Sequence, residues 1–381
     1  MALIRRKDDD NNDKEKKGKK KKPLADKLYD EQYNELETRL KMLYSDAVKD
    51  MNGKTVKFLA DYEKKKAQKL ELLKQGKITQ AEFEQWKAGQ AFSLSVMEAQ
   101  TNALTMDLVN TDKLAADMIN GDLPRIYTTQ YNFTGYQAEL IANVNGIPYT
   151  NFTIYSGDAI KFLTKSPVLL PENVNLDIPK DFIWNKKHIS TAISQGILQG
   201  ESIPQIANRL MQVTDMDLNA ALRNARTATG AARNQGAYDA VERINEQGKE
   251  YGIEVVKTWG AVVDARTRDS HLFLNGQHPN KKGLFGDGYL RVPLRFPKDP
   301  RGAPEDVYNC RCTLYTEPKV LGISVDHSNE RQNYEKWLEQ NYYEDWLKWK
   351  SSPKKIKEDE ERAEAEVREQ FIKALWAHRS H

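Results

Sequence analysis

From Leu24 onward the apolar residues recur at spacings of four and three: Tyr29, Tyr33, Leu36, Leu40, Leu43 and Ala47. A 3.6-residue period lines such positions up as one stripe, so the stretch predicts a long amphipathic helix with its charged residues turned outward. Gly53 is expected to interrupt it, and Val56, Leu59, Tyr62, Leu70 and Leu73 continue a charged helix to a stop at Gly76. Thr79 and Glu82 stand at capping-box spacing, which starts a new helix with Phe83 and Trp86 on its inner face. A further helix carrying Phe92, Val96, Leu104 and Leu108 is predicted to run toward Gly121. The composition agrees: 30% charged against 39% apolar residues leaves much polar perimeter, as long helices do.

Beyond Gly121 the pattern changes. Pro124, Pro148, Pro167, Pro171 and Pro179 break residues 122–180 into short pieces that read as a connector. Helices return at Phe182, and Ser202 with Gln205 and Pro204 forms another helix start. Residues 224–248 keep a helical period, and small residues around Gly230 and Gly236 allow a neighbouring helix to approach closely. After Gly252 the period becomes two, Ile253, Val255, Lys257 and Trp259 alternating with their neighbours, which predicts a strand followed by a polar loop from Asp264. Leu290–Leu294 and Cys310–Tyr315 read as two further short strands. The expected fold is mainly α with a small C-terminal α+β module, elongated and multi-segment. Its parts are a disordered charged tail (1–23), a long-helix region (24–121), the connector (122–180), the α+β module (181–320) and an aromatic, charged helical segment (321–381).

Charge and cysteine usage exclude several function classes. With 58 basic and 55 acidic residues the net charge is only +3, so nucleic-acid contact would need local patches. The candidates for contact with DNA or a partner are Lys19, Lys20, Lys21 and Lys22 in the tail and Trp337, Trp346 and Trp349 near the C-terminus. No run approaches the roughly 20 apolar residues a membrane span needs, and the first residues lack a signal-peptide core, so synthesis and retention in a cytoplasm are expected. Cys310 and Cys312, the only cysteines, lie one residue apart; on an extended chain that is about 7 Å between Cα atoms, too far for an unstrained disulfide.

Two short stretches could carry chemistry: DARTRDSH, residues 264–271, and NCRC, residues 309–312. Zinc would need four tetrahedral donors from His271, Cys310, Cys312 and one of His278 or Asp264, but the spacing is not that of paired C-x-x-C sites, so no metal is expected and zinc stands as the alternative. A Cys–His nucleophile would need Asn309 or Asp264 to orient it, and no oxyanion hole is evident. A metal-independent nuclease would set His271 with Arg266, Arg268 and Arg311 against a phosphate. Against these stands a purely structural arrangement, with both thiols packed as small hydrophobes on a strand, Asp264 paired with Arg266 or Arg311, and His271 satisfied by a loop carbonyl.

Taken in order, ARTATGAARNQG, WGAVVDARTRDSHLFLNGQ, a glycine-rich loop, VPLRFP and NCRCTL make residues 182–318 resemble the minor head proteins of tailed bacteriophages, the Mu F-like head morphogenesis family. The resemblance implies a structural protein of the virion, made in the host cytoplasm and placed in the head near the portal vertex. It would assist head assembly, DNA packaging or genome delivery. The implied partners are the portal protein, capsid or scaffold proteins and packaged double-stranded DNA bound without sequence preference; no reaction and no cofactor are implied. Some members carry C-x-x-C where this chain has Arg268 and His271, and histidine where it has Val307. With those donors gone, the resemblance implies a structural clasp of Asp264, Arg266, Thr267, His271, Asn309, Cys310, Arg311 and Cys312. The alternative function is a phage-encoded or toxin-associated nuclease using the His271 and arginine loop.

Overall fold

The computed structural model describes residues 22–95, 98–144, 146–147, 180–319 and 329–341. Three helices dominate: α1 (Leu24–Lys74), α3 (Glu98–Val144) and α5 (Ile203–Gly248). At about 1.5 Å per residue each is about 70–75 Å long. They lie side by side, with α2 (Gln80–Ser95) and α4 (Lys180–Leu198) packed on each other at one end. The predicted stripe is what holds the three together: Leu36, Leu40, Tyr44 and Leu59 of α1 meet Leu104, Leu108 and Ile126 of α3 and Ala225, Ala232 and Ile244 of α5 in one core.

Two expected breaks do not occur. α1 runs through Gly53 because its stripe continues across it, with Met51, Thr55 and Leu59 all buried. α3 runs through both Gly121 and Pro124. Proline removes one helical hydrogen bond, yet Leu123, Ile126 and Tyr127 are buried around it and Asp122, 1% exposed, forms ion pairs with Arg39 of α1 and Arg125. Tertiary packing thus outweighs the local breaker, and residues 122–144 belong to the bundle instead of a connector. The prolines at 148, 167, 171 and 179, the tail 1–21, Trp346 and Trp349 lie outside the described residues.

The predicted caps form as read. The Thr79 N–H donates to Glu82 Oε2 at 2.7 Å while Glu82 N–H donates to Thr79 Oγ1 at 3.2 Å, and the Ser202 N–H donates to Gln205 Oε1 at 2.7 Å. Gly76, at φ +67°, turns the chain out of α1. A Cβ on Gly236 would stand 2.4 Å from the Tyr127 carbonyl oxygen, so this glycine sets how closely α5 and α3 approach.

After α5 a 3-10 turn, Lys249–Tyr251, and Gly252 at φ +70° lead into β1 (Glu254–Gly260). β1 pairs antiparallel with β2 (Thr313–Lys319), Glu254 opposite Lys319 and Gly260 opposite Thr313. Between them lie α6 (Asp269–Leu274) and α7 (Pro304–Val307). The ribbon packs on the C-terminal half of α5. Asn245 bonds both backbone groups of Val255, at 2.9 and 2.7 Å, and Lys257 reaches Glu242 across the Tyr238 ring. A second small core holds Trp259, Leu274, Phe285, Leu294, Phe296, Cys310, Cys312 and Leu314.

The module corrects two strand expectations. Residues 290–294 contribute only an isolated bridge, Leu294 to Phe285. NCRC is not in a strand: Asn309 sits at φ +57°, a left-handed turn, and β2 starts only at Thr313. Finally α8 (Glu330–Asn341) returns to α3, where Tyr334 and Trp337 pack edge-on against Phe133 and Tyr136 and the Trp337 Nε1–H donates to Glu139 Oε2 at 2.8 Å. Trp337 is therefore a core residue, not a contact left for a partner. Among the described residues no helix is long and apolar enough to cross a membrane.

Candidate functional site

The loop after β1 folds on its own side chains. Asp264 Oδ1 accepts the Arg266 N–H at 3.0 Å, its carbonyl accepts the Thr267 N–H at 3.1 Å, and α6 follows at Asp269. This Asx turn holds the carboxylate toward NCRC. There the Arg311 guanidinium clamps it with both terminal nitrogens, one bond measuring 2.6 Å, and also donates to Thr267 Oγ1 at 3.0 Å. The bidentate clamp holds the Asp264 carboxyl far below the usual carboxylate range, and in return raises the Arg311 guanidinium. Of the two partners expected for Asp264, Arg311 is the one engaged. Arg266 is 82% exposed at 3.7 Å and forms the rim.

The second half of the clasp ties NCRC to α5 and the loop. The Asn309 N–H donates to Thr227 Oγ1 at 3.2 Å, and Arg268 donates to the Tyr308 carbonyl at 2.7 Å. Asn234 of α5, which sequence reasoning did not single out, is 1% exposed and fully used. Its amide donates to the carbonyls of Pro297 (2.7 Å) and Cys312 (3.4 Å), and its Oδ1 accepts the Leu314 N–H at 2.9 Å. A polar triplet, Arg233-Asn234-Gln235, inside the otherwise small-residue run AARNQGA was the available signal, since a buried polar side chain is retained where it has groups to satisfy.

His271, Cys310 and Cys312 are drawn together inside, each no more than 2% exposed. His271 Nδ1 lies 3.5 Å from Cys310 Sγ and 3.4 Å from Cys312 Sγ, and the three donor atoms fall within 4.8 Å of one another. The expected loop carbonyl for His271 is absent from its surroundings. Its Nε2 makes no hydrogen bond and faces Asp306 Oδ1 at 3.9 Å, and Trp259 stands edge-on at 5.4 Å with its indole beside the Cys312 thiol. The two thiols are coupled: the hydrogen bond from Cys312, helped by His271, lowers Cys310, and the same bond together with burial pushes Cys312 up.

What this set can do follows from its donors. Tetrahedral zinc with sulfur at about 2.3 Å and nitrogen at about 2.0 Å sets those donors about 3.5 Å apart, near the observed spacing, and a carboxylate behind the distal imidazole nitrogen is the usual orienting partner. Asp306 lies on the far side of the ring, so it does not supply a fourth ligand, and His278 is turned to the Lys257 carbonyl at 3.0 Å. For the nuclease arrangement, His271 is buried among thiols while Arg266 lies exposed on the outer rim and Arg268 and Arg311 are engaged by Tyr308 and Asp264. Imidazole and guanidinium groups do not face a common open surface. Lys22, the one tail lysine described, pairs with Asp30 of α1.

Comparison with known proteins places this geometry. Residues 187–315, from α4 to the third residue of β2, match the family described as Phage Mu protein F like protein. The chain is 25% identical over 297 residues to the minor head protein GP7 of Bacillus phage SPP1, covering 76% of this chain and 84% of that one. It is also 28% identical over 246 residues to the NAD(+)–arginine ADP-ribosyltransferase EFV of Enterococcus faecalis, spanning 61% of this chain but only 47% of that protein. No solved structure matches the chain significantly. The Asp264–Arg311 clamp and the buried His271–Cys310–Cys312 cluster both lie inside residues 187–315, the segment that matches the phage Mu protein F like family.

Proposed function

We propose that this chain is a minor head protein that acts at the portal vertex of a tailed phage, as a rigid adaptor between portal and shell and in contact with packaged DNA. The observation carrying the reading is the 297-residue similarity to a phage minor head protein, which extends beyond the module into the long-helix bundle. A bundle about 70 Å long with a polar perimeter suits bridging between subunits, and the clasp is a hydrogen-bonded lock whose ionisable groups, the rim residue Arg266 apart, are engaged or buried. No group transfer is assigned: the activity in the name of the enterococcal relative belongs to a protein of which less than half is spanned. DNA contact in this reading is electrostatic and free of sequence preference, so it weakens steeply with salt.

Co-expression with the portal protein of the same phage tests the reading. Tagged portal is expected to retain this chain at 0.15 M salt with and without chelator; a chain that stays folded yet is never retained by portal, shell or proheads refutes it. A second reading has its own observation in the mutual spacing of His271, Cys310 and Cys312, which suits zinc held as a structural staple. Elemental analysis decides it: about one zinc per folded chain supports the staple, and a folded, zinc-free chain removes it.

A further inference from the structure

α1, α5 and the entry to β2 border a half-open cavity of about 230 Å³ lined by Tyr33, Arg226, Gly230, Arg233, Lys298 and Arg311, among others. The charges around it do not balance. Arg233 is paired with Asp26, Arg311 with Asp264, and the lining Asp30 with Lys22. Arg226 and Lys298 have no carboxylate partner among the described residues. Arg226 lies over the Tyr33 ring at 5.7 Å, and Lys298, only 4% exposed, bonds a single backbone carbonyl, that of Arg226, at 3.2 Å.

A buried ammonium with one neutral acceptor is costly, since two of its three donors go unanswered. The chain nonetheless arranges for it. Lys298 adopts φ +65°, unusual for a side-chain-bearing residue, and a Cβ on Gly230 would lie 1.8 Å from its Nζ, so α5 needs glycine exactly where the ammonium rests. The Tyr33 hydroxyl, on the same cavity, is buried beside the Arg226 guanidinium with no acceptor for its own proton, and burial pushes its pKa up to about 12, so it stays a donor. Two cations without a carboxylate partner, of which Lys298 also faces the thiol pair, and a hydroxyl with a proton to donate thus border a space larger than a water molecule but smaller than a drug-sized pocket.

We propose that this cavity binds a small tetrahedral oxyanion of the phosphate type, held by Lys298, Arg226 and the Tyr33 hydroxyl. Phosphate matches the site because its charge complements two cations that lack a carboxylate partner and its oxygens accept from ammonium, guanidinium and phenol together. Lys298 is 4% exposed, so a phosphate must enter the cavity to reach its ammonium, which a duplex phosphodiester carrying sugars on both sides does not do. The ligand is therefore free phosphate or the terminal phosphate of a small ester. Since α1, α5 and β2 all border it, the anion would join bundle to module.

Inorganic phosphate is the probe. Calorimetric titration into the full chain, with sodium chloride at matched ionic strength as the blank, is expected to give saturable binding near one site per chain and a rise in Tm. Lys298→Met, and separately Tyr33→Phe with Arg226→Gln, should reduce affinity at least tenfold while circular dichroism and tryptophan emission stay native. An AMP arm separates free phosphate from a terminal phosphate ester, and a blunt duplex without terminal phosphates tests the backbone. The proposal is overturned by a phosphate response no greater than that of chloride, by phosphate binding undiminished in the folded Lys298→Met chain, or by binding of the duplex alone.

Discussion

Asn234→Ala is the sharpest test of how the module is held to the bundle. The amide spans three segments: it donates to Pro297 and Cys312 carbonyls and accepts the Leu314 N–H, all in a site 1% exposed. Each well-made hydrogen bond is worth about 1 kcal/mol net, and two of the three are short; leaving the Leu314 N–H buried without a partner adds about 1–3 kcal/mol. The loss should total about 2–4 kcal/mol, because alanine is too small to let water in at no cost yet returns none of the bonds. Urea unfolding followed by tryptophan emission reads it, with Arg223→Ala, exposed on the same helix, as the control expected within about 0.5 kcal/mol of the parent. The midpoint should fall at unchanged slope. If Asn234→Ala unfolds within about 0.5 kcal/mol of the parent, the helix–ribbon junction does not depend on this amide and the account of the clasp's anchorage fails.

Two glycines on neighbouring long helices should behave oppositely. Gly236→Ala drives a methyl into the Tyr127 carbonyl and should cost about 1–3 kcal/mol, whereas Gly53→Ala meets nothing within 4 Å and should stabilise by about 0.5–1 kcal/mol, both by chemical denaturation. At high pH the buried tyrosines predict a loss of stability: burial raises Tyr62 from 10.0 to about 12, so the folded chain keeps a proton that the unfolded chain releases. Stability should be flat below pH 10 and fall between pH 10 and 12, with a shallower fall in Tyr62→Phe; a Tm that is level across that window contradicts it. At the acid end the sign reverses for Asp264, whose clamp stabilises above the unfolded carboxylate range and is lost as pH drops below it. Asp264→Asn should remove that dependence and speed hydrogen exchange over residues 262–268.

How much of this was legible depends on range. The α1 stripe could be read because a 3.6 period is local, and both capping boxes could be read because their partners stand three residues apart. Pro124 misled for the same reason: its local cost is plain, but the packing of Leu123 and Ile126 and the Arg39–Asp122 pair come from a helix some 80 residues away. At the clasp, opposite charges offered Arg311, 47 residues on, and Arg266 as partners for Asp264, and only the fold decides for Arg311. The orientation of His271 was not legible, because it depends on how α6 and the turn at Asn309 meet, and a left-handed asparagine leaves only a weak mark in sequence. Lys298 was missed outright, since a lysine in a proline-flanked loop reads as solvated.

α5 belongs to two cores at once. Ala232, Ala240 and Val241 face the bundle while Ala237, on the same turns, faces the ribbon and its thiols. A recombination event that cut the chain between bundle and module would therefore hand one product a helix with a bare apolar side and leave the other without its floor. Exchange among related genomes should respect this seam, carrying α5 together with both of the surfaces it serves or not carrying it at all.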